Sequence, residues 1–168
     1  FYKIQDSFVE IHFYSKKNEK IKIIKFDKLD LSNKLLINSK YLNGICDYGV
    51  FYIYHFTNQD LPKDIIISNR CYSGYSKDES LYSYIHGNTL AKYCKIDNNE
   101  NESNYKSNII KKTITKNQIY KVQKLFKNFD KSELFFANPT SEIINFSINE
   151  DNYKLSDGCS VLIDVSKY

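Results

Sequence analysis

Apolar and polar residues alternate through SFVEIHFY, Ser7 to Tyr14. Val9, Ile11 and Phe13 fall on one side of an extended chain and Phe8, Glu10, His12 and Tyr14 on the other, the period of a half-buried strand. The polar run SKKNE supplies a turn, and KIKIIKF, Lys20 to Phe26, forms the returning arm of a hairpin. The next segment, DKLDLSNKLLINSKYLNG, fits a short helix and a further strand equally. YGVFYIYHF, Tyr48 to Phe56, is of another kind: β-branched and aromatic residues run on with His55 as the one internal polar group. It is expected to be a central strand covered on both faces. In DLPKDIIIS, Pro62 stands just ahead of Ile65 to Ile67, at a strand entrance where its missing N–H breaks no ladder.

The pattern then changes. Residues 96–112, IDNNENESNYKSNIIKK, are polar, Asn-rich and without hydrophobic period, which predicts an exposed loop. TKNQIYKVQKLFKNFD opens with the capping-box spacing of Thr115 and Gln118, and Ile119, Val122, Leu125, Phe126 and Phe129 recur at intervals of three and four. That predicts a helix over Lys116 to Asp130, apolar on one face, with Lys116, Lys121, Lys124 and Lys127 on its solvated side. A strand over Glu142 to Ile148, a turn at NEDN and a closing strand complete the chain. The last alternates Val161, Ile163 and Val165 with Ser160, Leu162, Asp164 and Ser166, after a turn at Gly158. No internal repeat or heptad is present. The expected fold is β-rich, all-β or α+β: a β-sandwich or a twisted, mostly antiparallel sheet with one packed amphipathic helix near 116–130. It forms a single domain over 1–168, with the Asn-rich loop near 96–112 exposed.

A chain of 168 residues buries roughly two-thirds of its unfolded surface, so neither a metal nor a disulfide is needed merely to fold it. Fifteen Tyr and eleven Phe, with no Trp, add to the strand-forming character. The net charge of +4 invites a nucleic-acid reading, but of 24 basic residues only Arg70 is an arginine. Lysine serves here, with Asn, Ile and Tyr, as the filler of an AT-rich coding sequence, and the bidentate recognition of phosphate and bases favours arginine. Nucleic acid is therefore not the expected partner. No apolar run reaches the roughly 18 residues of a membrane helix, so no transmembrane segment is expected in this chain, and no signal-peptide pattern is present. Because it begins at Phe1 and holds no Met, the chain is expected to be a mature or excised piece of a longer product.

Cys46, Cys71, Cys94 and Cys159 are even in number, widely spaced and never in a C-x-x-C arrangement. They favour two disulfides in a secreted or cell-surface domain, Cys71–Cys94 closing the stretch NRCYSGYSKDESLYSYIHGNTLAKYC and Cys46–Cys159 joining distant strands. Four reduced, buried thiols are the alternative. Inside that stretch Tyr72, Tyr75, Tyr82 and Tyr84 are interleaved with Ser73, Ser76, Ser80 and Ser83. Rigid aromatic area combined with small hydrogen-bonding groups is the composition of recognition surfaces, so these tyrosines are the expected contact for a protein partner. SLYSYIH also reads as a plain strand, and the two descriptions are compatible.

Other chemistry is less well supported. A cysteine nucleophile served by His86, drawn from Cys71, His86 and Cys94, has no local protease-like signature, and no catalytic residue is assigned. A zinc site from Cys71, His86, Cys94 and His55 lacks the close ligand pairs of small structural sites, and no metal is assigned. Asp27 with Asp30, and Asp60 with Asp64, stand at turns and strand entrances where acids are common. The glycines are scattered without a phosphate-binding loop, so no cofactor is expected. A subunit of an RNA-containing assembly, with Lys111 to Lys127 meeting phosphate, is a further alternative. Asn101 and Asn145 head N-glycosylation patterns (NES, NFS), whereas NPT at Asn138 is blocked by proline. The leading expectation is a secreted or cell-surface, disulfide-stabilised binding or adhesion module that recognises a protein.

Overall fold

Strand-forming residues build most of the described backbone. The computed structural model of the chain describes residues 7–27, 35–60, 67–68, 72–75, 83–86, 90–91, 94–95, 131–140 and 142–166. In chain order the strands are Ser7–Ser15 (β1), Lys20–Phe26 (β2), Gly49–Thr57 (β3), Ile67–Ser68 (β4), Tyr72–Tyr75 (β5), Ser83–His86 (β6), Leu90–Ala91 (β7), Cys94–Lys95 (β8), Glu133–Ala137 (β9), Ile144–Ile148 (β10), Asp151–Leu155 (β11) and Ser160–Asp164 (β12).

Four of them form one sheet in the order β2-β1-β3-β8. β1 is antiparallel to both neighbours, with Ile11 between Ile24 and Ile53, and β8 joins β3 in parallel, Cys94 opposite Phe56. The uninterrupted apolar run of β3 thus takes an internal position, as its pattern predicts. The β1–β2 turn is tied by Ser15: its N–H donates to the Glu19 carbonyl at 2.9 Å, and its Oγ accepts from the amides of Lys17 and Glu19, each at 3.2 Å. Asn18 takes the left-handed conformation there, φ 65°. Pairing slips between Phe13 and Tyr14, which face Lys22 and Lys20, so that Ile21 is the extra residue of a β-bulge.

The register gathers Phe8, Glu10, His12 and Tyr14 on one face with Tyr52, Tyr54 and Phe56. Their rings form a continuous layer: Phe8 stacks on Phe56 at 5.2 Å, His12 leans on Tyr54 at 4.7 Å, and Tyr14 meets Tyr52 edge-on at 5.7 Å. Each such pair contributes about 0.5–1.5 kcal/mol beyond the area it buries. His12, Tyr14, Tyr54 and Phe56 are buried on this side, and Val9, Phe13 and Thr57 on the other. β1 is therefore covered on both faces rather than half-buried. Alternation misleads here because the second face, which carries Glu10 and His12, is closed by aromatic rings.

β9 and β12 form an antiparallel pair, Ala137 opposite Ser160, and β10 and β11 a hairpin whose turn at Asn149 and Glu150 has Asn149 at φ 50°. The two pairs meet where Phe136 stacks on Phe146 at 4.6 Å, and within the hairpin Phe146 stacks in turn on its cross-strand partner Tyr153 at 5.3 Å. This part docks on the first sheet turn against turn. The Ser160 N–H donates to the Lys16 carbonyl at 3.0 Å, and Tyr48 meets Phe135 edge-on at 6.2 Å. Gly158, at φ 64°, lies so close to the β1–β2 turn that a Cβ there would come within 2.2 Å of the Asn18 side chain. Only glycine satisfies both the conformation and the approach.

Asn138 binds the connections together. Its side chain is fully buried and reaches the carbonyls of Glu142, Leu155 and Ser156, while its backbone N–H donates to the Cys159 carbonyl at 2.8 Å. Of the segment read as helix or strand, DKLDLSNKLLINSKYLNG, the described residues 35–44 form neither: 39–44 run as turns, with Asn43 and Gly44 in the left-handed region at φ 59° and 81°. The described residues hold no helix. The helix expected over 116–130 and the Asn-rich loop near 96–112 lie outside them. The chain is strand-rich and its sheets are mostly antiparallel; among the described residues no helix is long and apolar enough to cross a membrane.

Candidate functional site

Within the tyrosine-rich stretch, Tyr72–Tyr75 and Ser83–His86 form a two-stranded antiparallel ladder. β5 pairs with β6 so that Tyr72 stands opposite His86, Ser73 opposite Ile85, Gly74 opposite Tyr84 and Tyr75 opposite Ser83. Among the described residues this ladder shares no strand pairing with the four-stranded sheet. The register divides the tyrosines expected to act together. Tyr72 and Tyr84 belong to one face with His86, and Tyr75 belongs to the other with Ser73, Ser83 and Ile85. Tyr72 is 55% exposed, and Gly74 and Ser83 are also exposed. Gly74 places a residue without a side chain across from Tyr84 and beside Tyr72. Tyr82 and Cys71 lie outside the described residues.

Of the other cysteines, Cys94 opens β8 across from Phe56, at the end of the order β2-β1-β3-β8. Cys46 and Cys159 are not bonded to each other: both are free thiols, the first exposed and the second half-buried. The bridge expected between them is thus not formed. Cys159 is fixed by its turn, its N–H donating to the Ser156 carbonyl at 3.2 Å and its own carbonyl accepting from Asn138, whereas Cys46 rides in the exposed segment before β3.

The polar pair within the aromatic layer was not singled out by sequence. Nε2 of His12 lies 2.7 Å from the Glu10 carboxylate, with the imidazole only 4% exposed. The signal was available, since residues two apart on a strand share a face. A carboxylate beside an imidazole orients the ring, but acyl transfer needs a nucleophile within reach as well. Among the described residues no three His, Cys, Asp or Glu side chains cluster so as to hold a metal ion. Among the described residues the His12 ring leans on that of Tyr54, and the hydrogen bond to Glu10 gives its buried Nε2 a partner inside the sheet. His55, on the other face of β3, is held below the ordinary imidazole pKa by burial.

Two ion pairs lie at the surface, one beside β1 and β3 and one beside β9. Lys16 Nζ meets the Asp47 carboxylate at 3.0 Å and lies 5.1 Å from the centre of the Tyr48 ring; the hydrogen bond raises the lysine's pKa and lowers the acid's. Lys131 pairs with Glu133 at 2.6 Å. Such exposed pairs carry little stability. Compared with known proteins, the chain matches no family model, no curated protein and no solved structure.

Proposed function

We propose that the chain is a secreted or cell-surface binding module of sandwich type, stabilised by a Cys71–Cys94 disulfide, which recognises a protein through its tyrosine-bearing ladder. The observation that carries this reading is Tyr72, a large aromatic side chain left 55% exposed on a strand pair outside the four-stranded sheet. Exposed tyrosine flanked by glycine and serine offers contact area at small entropic cost, because a tyrosine fixes only two side-chain torsions on binding. In this reading the contact is made from the face that holds Tyr72 and Tyr84, with Tyr75 on the reverse. A disulfide closing 71–94 would reduce the conformational freedom of the unbound ladder and so raise its affinity.

The test is a screen of the purified, oxidised chain against an array of extracellular protein domains, repeated with Tyr72→Ala and Tyr84→Ala. The expected result is saturable binding to a protein that survives high salt and that Tyr72→Ala weakens about tenfold or more, the range of an interface anchor. Unfolding midpoints of the variants should match the parent. Equal affinity in both variants would discard this surface, and affinity that collapses with salt would point instead to phosphate recognition by lysines.

A further inference from the structure

We propose that Asn145 is an N-glycan acceptor and that the outer face of the β10–β11 hairpin is the carbohydrate-bearing side of the domain. The proposal rests on the secretory reading above. The sequence Asn145-Phe146-Ser147 has the acceptor spacing, and the strand pleat of β10 sorts its three residues. Asn145 and Ser147 are exposed, while Phe146 turns inward to lie between Phe136 and Tyr153. Across the hairpin their partners are Lys154 and Asn152, both exposed as well. A glycan at Asn145 therefore leaves over a wholly polar patch, Asn145, Ser147, Asn152 and Lys154, and displaces no packed apolar group.

The contrast with Asn138 is instructive. Its Asn-Pro-Thr differs from an acceptor by the proline, and its amide is 0% exposed and committed to three carbonyls, so a sugar there is incompatible with the fold. A glycan on Asn145 would also serve β10 itself, which among the described residues pairs only with β11. Bulk on an open strand edge blocks edge-to-edge association. The chemistry is a displacement at an anomeric carbon. Asn145 Nδ2 attacks C1 of a lipid-linked oligosaccharide within an oligosaccharyltransferase, the C1–oxygen bond to the lipid pyrophosphate breaks, and one Nδ2 proton passes to the enzyme's base. The fold then closes with the sugar outside.

The experiment uses the chain from its natural source, alkylated before and after reduction and peptide-mapped with and without peptide-N-glycosidase in heavy-oxygen water. The expected result is that the peptide spanning Asn145 appears only after the glycosidase, with Asn145 converted to a heavy-labelled aspartate. Chains secreted from a eukaryotic host with Asn145→Gln or Ser147→Ala should each lack one glycan at unchanged far-UV circular dichroism. An unmodified Asn145 in a chain whose Cys71 and Cys94 resist alkylation until reduced would overturn the glycan and leave the secretory reading standing. An unmodified Asn145 in a chain whose cysteines all alkylate without reduction would overturn both.

Discussion

Replacing Asn138 by alanine removes one side chain that holds two connections, from β9 to β10 and from β11 to β12. The amide is 0% exposed. Its Nδ2 donates to the carbonyls of Glu142, Leu155 and Ser156 at 2.7, 3.1 and 3.0 Å, and its Oδ1 accepts from the N–H and Oγ of Thr140 at 3.0 and 2.6 Å. Nδ2 has two hydrogens, so its three contacts amount to two full bonds, and with the two accepted bonds the total is four. At about 1 kcal/mol net for each, the loss is about 4 kcal/mol. Glu142 and Ser156 are exposed and take up water in the variant, whereas the buried Leu155 leaves a dry carbonyl, which brings the expected loss to about 3 kcal/mol. For a chain of this size that lowers the thermal midpoint by about 6–12 °C, read by far-UV circular dichroism and tyrosine fluorescence. Asn138→Asp keeps the shape but turns a carboxylate oxygen toward three carbonyls. The folded state then favours the protonated acid and its pKa rises above the unfolded value, so the variant is least impaired below about pH 4 and loses further stability as pH increases. An alanine variant within about 2 °C of the parent, or an aspartate variant with no pH dependence, would refute the assignment.

Two further substitutions and one titration test the same physical account. A Cβ on Gly49 would meet the Tyr14 backbone carbonyl at 2.1 Å, whereas one on Gly158 would meet the Asn18 side chain at 2.2 Å. Backbone cannot step aside as a side chain can, so urea midpoints should fall further for Gly49→Ala than for Gly158→Ala, and Asn18→Gly should restore part of the loss in the second only; equal losses with no rescue would contradict this. His55 has its pKa lowered from 6.5 by burial, so the unfolded chain binds the proton more readily than the folded one. Stability is then full above about pH 6.5 and declines as pH falls toward the folded pKa, a slope that His55→Gln should remove from denaturation curves collected between about pH 7 and 5.

β1, β2 and β3 were legible because period and composition agreed: alternation in the first, a short apolar arm in the second, an unbroken apolar run in the third. The bulge at Tyr14 was not, since the residue that slips is set by cross-strand pairing with Lys20. β9 carries the alternation, Leu134 and Phe136 inward against Glu133 and Ala137, but Phe135 is 47% exposed and blurs the pattern. β11 hides in DNYKL, where only Tyr153 and Leu155 turn inward and the strand begins inside the apparent turn. Asn138 was read only as a blocked acceptor, because its purpose depends on carbonyls 17 and 18 residues away. The tyrosines of the candidate surface were visible as composition. Their division between two faces was not, since it follows from which residue of β6 stands across from Tyr72.

Where recognition can reside is limited by how the central sheet is used. β1 carries buried residues on both faces, His12 and Tyr14 on one and Val9 and Phe13 on the other, so a partner finds little of it to contact without opening the core. The edge of the sheet at β2 carries Lys20 and Lys25 exposed, the kind of residue that discourages strand addition. The β9–β12 part is engaged through its turn with the β1–β2 turn, and its hairpin face is polar. Among the described residues, β5 with β6 combines an exposed aromatic, Tyr72, with a backbone ladder that shares no strand pairing with either part, whereas the exposed Phe51 and Phe135 belong to β3 and β9 themselves. That separation also makes the tyrosine test interpretable. Tyr72 lies on the β5–β6 ladder and Asn138 in the connection that follows β9, so an affinity change in Tyr72→Ala at an unchanged midpoint comes from the surface. The same change in Asn138→Ala, where the midpoint falls too, comes through the fold.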